Sequence, residues 1–431
     1  MNPKTLIISS CSLKSGPAVI AGQYYDALRK KGIDVDLMLK YPDQERPEAL
    51  FVVKEGYDNK WIVRLKRRFQ RMIAGVKKIN PTNAFFYTKE IYPPVPASKV
   101  VSAIKKKYDL VIIVFWQEML SFETIQRIYD KLHCQIQFLC VDYSHMSGGC
   151  HFVGLCERYK VGCGMCPGVY SRKDKDFTAW NVQFRKKVYD RVKPVVFGNH
   201  HMQEFYKESF LLRNSRVETF HSMIIDTEEF KPLERTVMKD KLGILPVKKS
   251  VIFFACQNLD DERKGIKYLL EALNILHNKI SDKADEVLVI MAGKDFEKVS
   301  SMIPFDSKGF GYVAMDKLPE LYSASTVFVC PSVNDAGPMM VGQSLCCGTP
   351  VVGFDMGSVK DLVKDKGTGI CVPLRDSKAL AKGIETMIKM PQTEYNNISA
   401  RCREVAMKYC SYDAQADMIL NAYYKYNYEC E

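Results

Sequence analysis

Short runs of consecutive apolar residues alternate with amphipathic stretches along nearly the whole chain. Thr5–Ser9, Val35–Leu39, Leu110–Phe115, Gln137–Val141 and Val195–Gly198 read as strands, each mostly apolar and too short for a helix. A second series follows at Val251–Ala255, Val287–Ala292, Thr326–Pro331, Val351–Phe354 and Gly369–Val372. Between them lie helical patterns such as Gly265–Asn278, apolar at 266, 269, 270, 273 and 276, and Ser377–Met390. Strands that are apolar on both faces predict parallel sheets covered by helices on both sides. The series restarts after Phe230-Lys231-Pro232, where the charged stretch Glu234–Lys241 reads as a linker. The pattern therefore predicts an α/β chain of two doubly wound, Rossmann-like domains facing a cleft. The first covers 1–231 with a cysteine-rich insert at 148–168, the second 232–410, and a helix over 411–431 returns to the first domain.

Composition narrows this picture modestly. The 431 residues suit two or three domains, and 47% apolar with 26% charged residues is ordinary for a globular protein. No window approaches the ~18 consecutive apolar residues of a membrane span, and Met1-Asn2-Pro3-Lys4 runs straight into Leu6-Ile7-Ile8 without the pattern of a signal peptide. A cytoplasmic protein is expected. Several of the fifteen cysteines, such as Cys140, Cys330, Cys346 and Cys347, sit in apolar runs, where a thiol behaves as a small hydrophobe in a reducing compartment. Sixty-two Lys and Arg against 50 Asp and Glu give a net charge of +12, which favours anionic partners. The cations lack the aromatic-interleaved clustering of a nucleic-acid module, so no nucleic acid is expected. Asp34-Val35-Asp36 alternates within a strand and reads as structural.

In doubly wound sheets, ligands bind beyond the carboxyl ends of the strands, so chemistry is sought in strand-to-helix loops. The segment Cys330-Pro331-Ser332-Val333-Asn334-Asp335-Ala336-Gly337-Pro338-Met339-Met340 runs from a strand through a glycine loop into a helix, which continues past Gln343 to Cys347-Gly348-Thr349-Pro350-Val351-Val352. A loop entering a helix this way presents amide N–H groups and a positive dipole end to an anionic or hydroxyl-rich ligand. A second loop, Cys256-Gln257-Asn258-Leu259-Asp260-Asp261-Glu262-Arg263-Lys264-Gly265, follows the first strand of the second domain.

These segments resemble the family-4 glycosyltransferases of the retaining GT-B class. In that family the first loop reads Pro-Ser-x-x-Glu, then, seven residues on, a second Glu, then Cys-Gly-x-Pro-Val-Val. Asp335 stands at the first Glu position and Gln343 at the second, which implies a contact to the donor sugar for Asp335 and to the ribose for Gln343. The resemblance places Lys264 on the donor diphosphate, with Asn258 where an Arg is usual, and leaves Arg263 open between phosphate contact and an exposed helix entry. It implies donor contacts for Gly337, Pro338 and Met339, and for Gly16 in the loop Lys14-Ser15-Gly16-Pro17-Ala18. Phe220–Pro232 resembles the family's segment leading into the second domain, and Gly309–Tyr312 with Leu318–Ser325 its base-binding part.

Val141-Asp142-Tyr143-Ser144-His145-Met146-Ser147-Gly148-Gly149-Cys150-His151-Phe152 resembles a subgroup making bacterial surface polysaccharides, and implies a catalytic position for Asp142. Read from the residues, Asp142 is either a cleft carboxylate or a cap of the next turn. His145 is either an acceptor-side imidazole or a satisfied surface histidine. Cys150, Cys156, Cys163 and Cys166 follow, spaced Cys-x5-Cys-x6-Cys-x2-Cys. They read as a structural zinc knuckle or as free thiols, with an iron–sulfur cluster open as well. Trp61–Lys78 is a basic amphipathic helix that serves either as ordinary domain structure or as a peripheral attachment to anionic lipid.

Together these imply a retaining hexosyltransferase of surface polysaccharide biosynthesis. It takes a UDP- or GDP-sugar and a glycan or polyprenyl-linked glycan acceptor, in the cytoplasm or peripherally on the inner face of the plasma membrane. No catalytic metal is expected. A sugar-nucleotide epimerase of the same fold and a catalytically degenerate nucleotide-sugar-binding subunit are the alternatives.

Overall fold

A computed structural model describes residues 2–10, 17–73, 94–221, 223–244, 250–259 and 261–427. Gly16 lies outside the described residues, as does the end of the basic helix beyond Ile73. The chain divides into two compact units, residues 1–198, 202–220 and 415–431 forming one and 199–201 with 221–414 the other.

The first unit holds a parallel sheet of β1 (Thr5–Ser9), β2 (Val35–Leu39), β3 (Leu50–Phe51), β4 (Leu110–Phe115), β5 (Gln135–Leu139), β6 (Val195–Gly198) and β7 (Arg216–Thr219), in the order β3-β2-β1-β4-β5-β6-β7. The second holds β8 (Ser250–Asn258), β9 (Val287–Lys294), β10 (Asp306–Gly309), β11 (Val327–Cys330), β12 (Val351–Phe354) and β13 (Gly369–Val372), in the order β10-β9-β8-β11-β12-β13. Both sheets reverse direction of growth once, at β1/β4 and at β8/β11, which is where a doubly wound sheet opens a crevice at its carboxyl edge. Alternation along β8 shows why the pattern works. Ile252, Phe254 and Cys256 pack with Leu269 and Leu273 on one face, while Val251, Phe253 and Ala255 pack with Val341 and Leu345 on the other.

Some expectations shift. The strand expected at 137–141 starts two residues earlier, because Gln135 and Gln137 are strand residues whose carboxamides donate to the Tyr423 and Ile419 carbonyls at 3.1 and 3.2 Å. The stretch 398–428 is broken at Ser411 into helices Gln392–Cys410 and Tyr412–Asn427. The chain enters the second unit at 221 rather than 232. Ile225 donates to the Cys410 carbonyl at 2.9 Å, and Ile225 and Phe230 are buried in the second unit's core. From Gln415 onward the last helix belongs to the first unit, where Gln415 accepts from Tyr24 at 2.5 Å and Asp417 from Lys31 at 2.6 Å. Asp36 accepts from Tyr108 at 2.7 Å and Lys106 at 2.9 Å, in keeping with a structural role.

Candidate active site

The loops after β8 and β11 leave the second sheet on either side of its switch point, so topology alone brings residues 261–265 beside 331–338. Asp261 caps the turn Glu262–Lys264 and holds the Arg263 guanidinium at 2.6 and 3.1 Å. Arg263 therefore lies along its own loop, and its carbonyl accepts from Val333 N–H at 2.8 Å, stitching the two loops together. Gly265 allows the close approach. Its φ is +71°, and a Cβ there would stand 1.9 Å from the Pro331 carbonyl oxygen.

This approach delivers the Lys264 ammonium onto Asp335 Oδ2 as an ion pair, while Asp335 Oδ1 accepts from Gly337 N–H at 3.2 Å. Burial works to raise the Asp335 carboxyl pKa, but Lys264 and the Gly337 amide outweigh it and hold the group below its ordinary value. For Lys264, burial lowers and Asp335 raises, with a net shift upward. Both groups are charged across the neutral range. Gly337 is left-handed at φ +151°, with room for a Cβ limited by Asn199 Nδ2 at 3.0 Å and Ser358 Oγ at 3.2 Å. Asn199 donates to the Ala336 carbonyl at 2.5 Å, fixing the loop before Pro338 caps helix Met339–Cys346.

Gln343 lies two turns into that helix and is buried. Its carboxamide accepts from Tyr322 at 3.2 Å and donates to the Met339 sulfur at 3.4 Å. Asn258 is exposed at the end of β8. Three further residues flank the loop. Asp361, with no exposed side-chain surface, accepts from His200 N–H at 3.2 Å and faces His200 Nδ1 at 3.0 Å and His221 Nδ1 at 3.5 Å. His200 and His221 could be found in the sequence, but nothing there pairs them with an acid 140 residues on.

In the first unit, Asp142 follows β5 and is buried. Its Oδ1 accepts from Ser144 N–H at 2.8 Å, as a turn cap does, while Oδ2 accepts from Gln117 at 3.3 Å and pairs with His151 Nδ1. Burial raises its pKa, yet His151 draws it below the ordinary value. His151 stands in the same segment of the sequence, but its place nine residues from Asp142 gives no periodic signal that would pair the two. His145 is not at the surface. It is buried against Trp116 and Phe138, and burial pulls its pKa down to about 4, so it packs as a neutral ring. Cys150, Cys156, Cys163 and Cys166 lie in the loop beyond it and line one small cavity.

Residues 239–405 match the family model for glycosyl transferases group 1. That span holds both switch-point loops. Over this span the chain is similar to the group 1 glycosyltransferases. An uncharacterized glycosyltransferase of Methanocaldococcus jannaschii is 23% identical over 307 residues, covering 68% of this chain and 75% of that protein. Among solved structures, sucrose-phosphate synthase of Thermosynechococcus elongatus superposes with a TM-score of 0.63 over 99% of both chains at 16% identity. HepE of Anabaena, solved with UDP-glucose, gives 0.62 over 98% of this chain and 100% of that one at 14% identity. These likenesses show the fold, two parallel-sheet α/β Rossmann-like domains of the kind found in GT-B structures. Among the described residues, no helix is long and apolar enough to cross a membrane.

Proposed function

We propose that this chain transfers a hexose from a nucleotide-sugar donor to a saccharide or lipid-linked saccharide, with retention of anomeric configuration, in surface polysaccharide assembly. The observation that carries the reading is the Lys264–Asp335 pair, fixed by Gly265 and Gly337 at the switch point of the sheet. A partly exposed ammonium, held on a buried carboxylate beside a loop amide, suits a diphosphate leaving group. HepE of Anabaena, which shares the fold, holds UDP-glucose, and this supports a nucleotide sugar as the donor here.

In the step proposed, the bond from the anomeric carbon to the diphosphate oxygen breaks and its electron pair leaves with the diphosphate. The acceptor oxygen bonds to that carbon on the same face, and its proton passes to the departing diphosphate. Lys264 and the Gly337 amide stabilise the developing charge, and Asp335 aims the ammonium and receives donor hydroxyls. We assign Gln343 to the ribose end, its carboxamide trading Tyr322 for a vicinal hydroxyl, and Asp142 with His151 to acceptor hydroxyls in the first unit. Helix Trp61–Ile73 supports a lipid-linked acceptor and a peripheral membrane position. Trp61 is 74% exposed, Ile62, Leu65, Phe69 and Met72 are exposed as well, and Arg64, Lys66 and Arg68 share the exposed surface. No catalytic metal is invoked.

Incubating the chain with UDP- and GDP-sugars, with and without polyprenyl-linked glycans, tests the reading. Transfer, with an axial or equatorial anomeric proton coupling in the product matching that of the donor, is the expected result. Isomerised donor without transfer indicates an epimerase, and donor binding without turnover indicates a non-catalytic subunit.

A further inference from the structure

The transfer reaction leaves four thiols unexplained. Cys150, Cys156, Cys163 and Cys166 stand on separate turns of the loop between β5 and helix Phe177–Val192, yet all four line one cavity of about 20 Å³. That volume is roughly one water-sized sphere, so the four thiols border a common space small enough for one ion. Val153, Tyr159 and Val169 of this loop are buried, while Leu155 is 90% exposed and Val161, Met165 and Tyr170 also point outward.

Burial pushes the Cys150, Cys163 and Cys166 thiols above their ordinary value, and local hydrogen-bond donors work in the other direction. Arg158 N–H donates to Cys156 Sγ at 3.4 Å, the Gly168 and Val169 amides point at Cys166, and the Gly148 amide points at Cys163. A neutral thiol is a weak acceptor, whereas a thiolate gains from each such donor. The Arg158 side chain also lines the cavity and braces the loop, donating to the Gly164 carbonyl at 3.1 Å. Gly164 N–H donates to Thr178 at 3.1 Å and Cys166 N–H to Asp176 at 3.0 Å, which ties the loop to the start of the following helix. Cys163 and Met165 are nevertheless held left-handed, at φ +63° and +44°, a conformation that costs about 1 kcal/mol or more each and needs something to hold it.

We propose that Cys150, Cys156, Cys163 and Cys166 form a closed, structural tetrathiolate site for one soft divalent cation, zinc by its chemistry. Thiolate sulfur selects such an ion in tetrahedral geometry, and four protein ligands leave no position for substrate. Binding releases the thiol protons to solvent. The ion cross-links the separate turns of the loop. Because Cys150 precedes His151, it also fixes the backbone that sets the imidazole on Asp142.

The test uses the full chain purified without chelator. Elemental analysis should find close to one zinc per chain, and cobalt exchanged for it should give the intense d–d and sulfur-to-cobalt charge-transfer bands of a tetrahedral tetrathiolate. The four thiols should resist alkylation until a strong chelator is added, and the chelator should lower the melting temperature. Cys166→Ser should lose the metal. Should that variant fold poorly, the cobalt spectrum and thiol protection are read on the unaltered chain. Metal-free protein with four freely alkylated thiols and chelator-insensitive melting overturns the proposal. So does a disulfide between any two of the four, or a visible iron–sulfur chromophore.

Discussion

Lys264→Ala separates what the ion pair does for the fold from what it does for turnover. The Asp335 side chain is 12% exposed and that of Lys264 27%. Removing one partner of a fully buried pair costs about 3–5 kcal/mol, and the remaining exposure of Lys264 reduces this to about 2–3 kcal/mol. The pH dependence carries a sign. In the unaltered protein the lowered Asp335 pKa stabilises the fold above the ordinary carboxyl value of about 4 and is lost as pH falls through the lowered value. Without Lys264, burial is no longer outweighed and the Asp335 pKa rises above ordinary. The variant then gains stability as pH falls, and the melting difference narrows in acid. Turnover should fall about 10²–10³-fold, the usual loss for a charge-stabilising donor. Thermal melts from pH 4 to 8 and initial rates of sugar transfer read the two effects. Adding Asp335→Asn removes the unpaired charge, so the double variant should recover melting temperature but not rate. Turnover within a few-fold of the parent, or a double variant no more stable than Lys264→Ala, refutes the reasoning.

Other outcomes follow from the same geometry. Gly265→Ala places a methyl 1.9 Å from the Pro331 oxygen at a left-handed φ; the chain should lose several kcal/mol, more than the ~1 kcal/mol of backbone preference, and UDP should cease to raise its melting temperature. The buried, neutral His145 takes up its proton only near pH 4, whereas in the unfolded chain it does so near 6.5. Stability therefore falls as pH drops through that window, by up to about 3 kcal/mol. His145→Phe should flatten this slope in denaturant titrations, and an unchanged slope assigns the acid sensitivity elsewhere. The chain should co-sediment with anionic vesicles at low salt and detach as salt rises. Neutralising Arg64, Lys66, Arg67, Arg68 and Arg71 together should abolish sedimentation and spare donor hydrolysis; a parent chain that ignores such vesicles makes this helix ordinary structure.

The order of elements was legible because fully apolar strands need no partner to be recognised. β1, β2, β4, β6, β12 and β13 lie where the pattern placed them. What escaped were strands whose burial is one-sided or short: β3, β7 with its alternating Arg216 and Glu218, and β10 with Asp306 and Lys308. Lys264 and Asp335 were each visible beside a glycine, but their pairing depends on strand order, which periodicity does not encode. The turn of Arg263 onto Asp261 left that guanidinium's role undecided in the sequence. His151, Asn199 and Asp361 meet their partners only through tertiary folding.

The return of residues 415–427 to the first unit has a consequence for synthesis. The β5 glutamines donate to the carbonyls of Ile419 and Tyr423, and Lys425 pairs with Glu218 at 2.6 Å. A ribosome that has released residues 1–220 has therefore not yet supplied everything that half requires. The intervening 194 residues, 221–414, must be made first. Prematurely terminated products would carry an unfinished sheet with exposed glutamines and an open helix-binding surface, features by which quality-control proteases distinguish a truncated chain from a whole one.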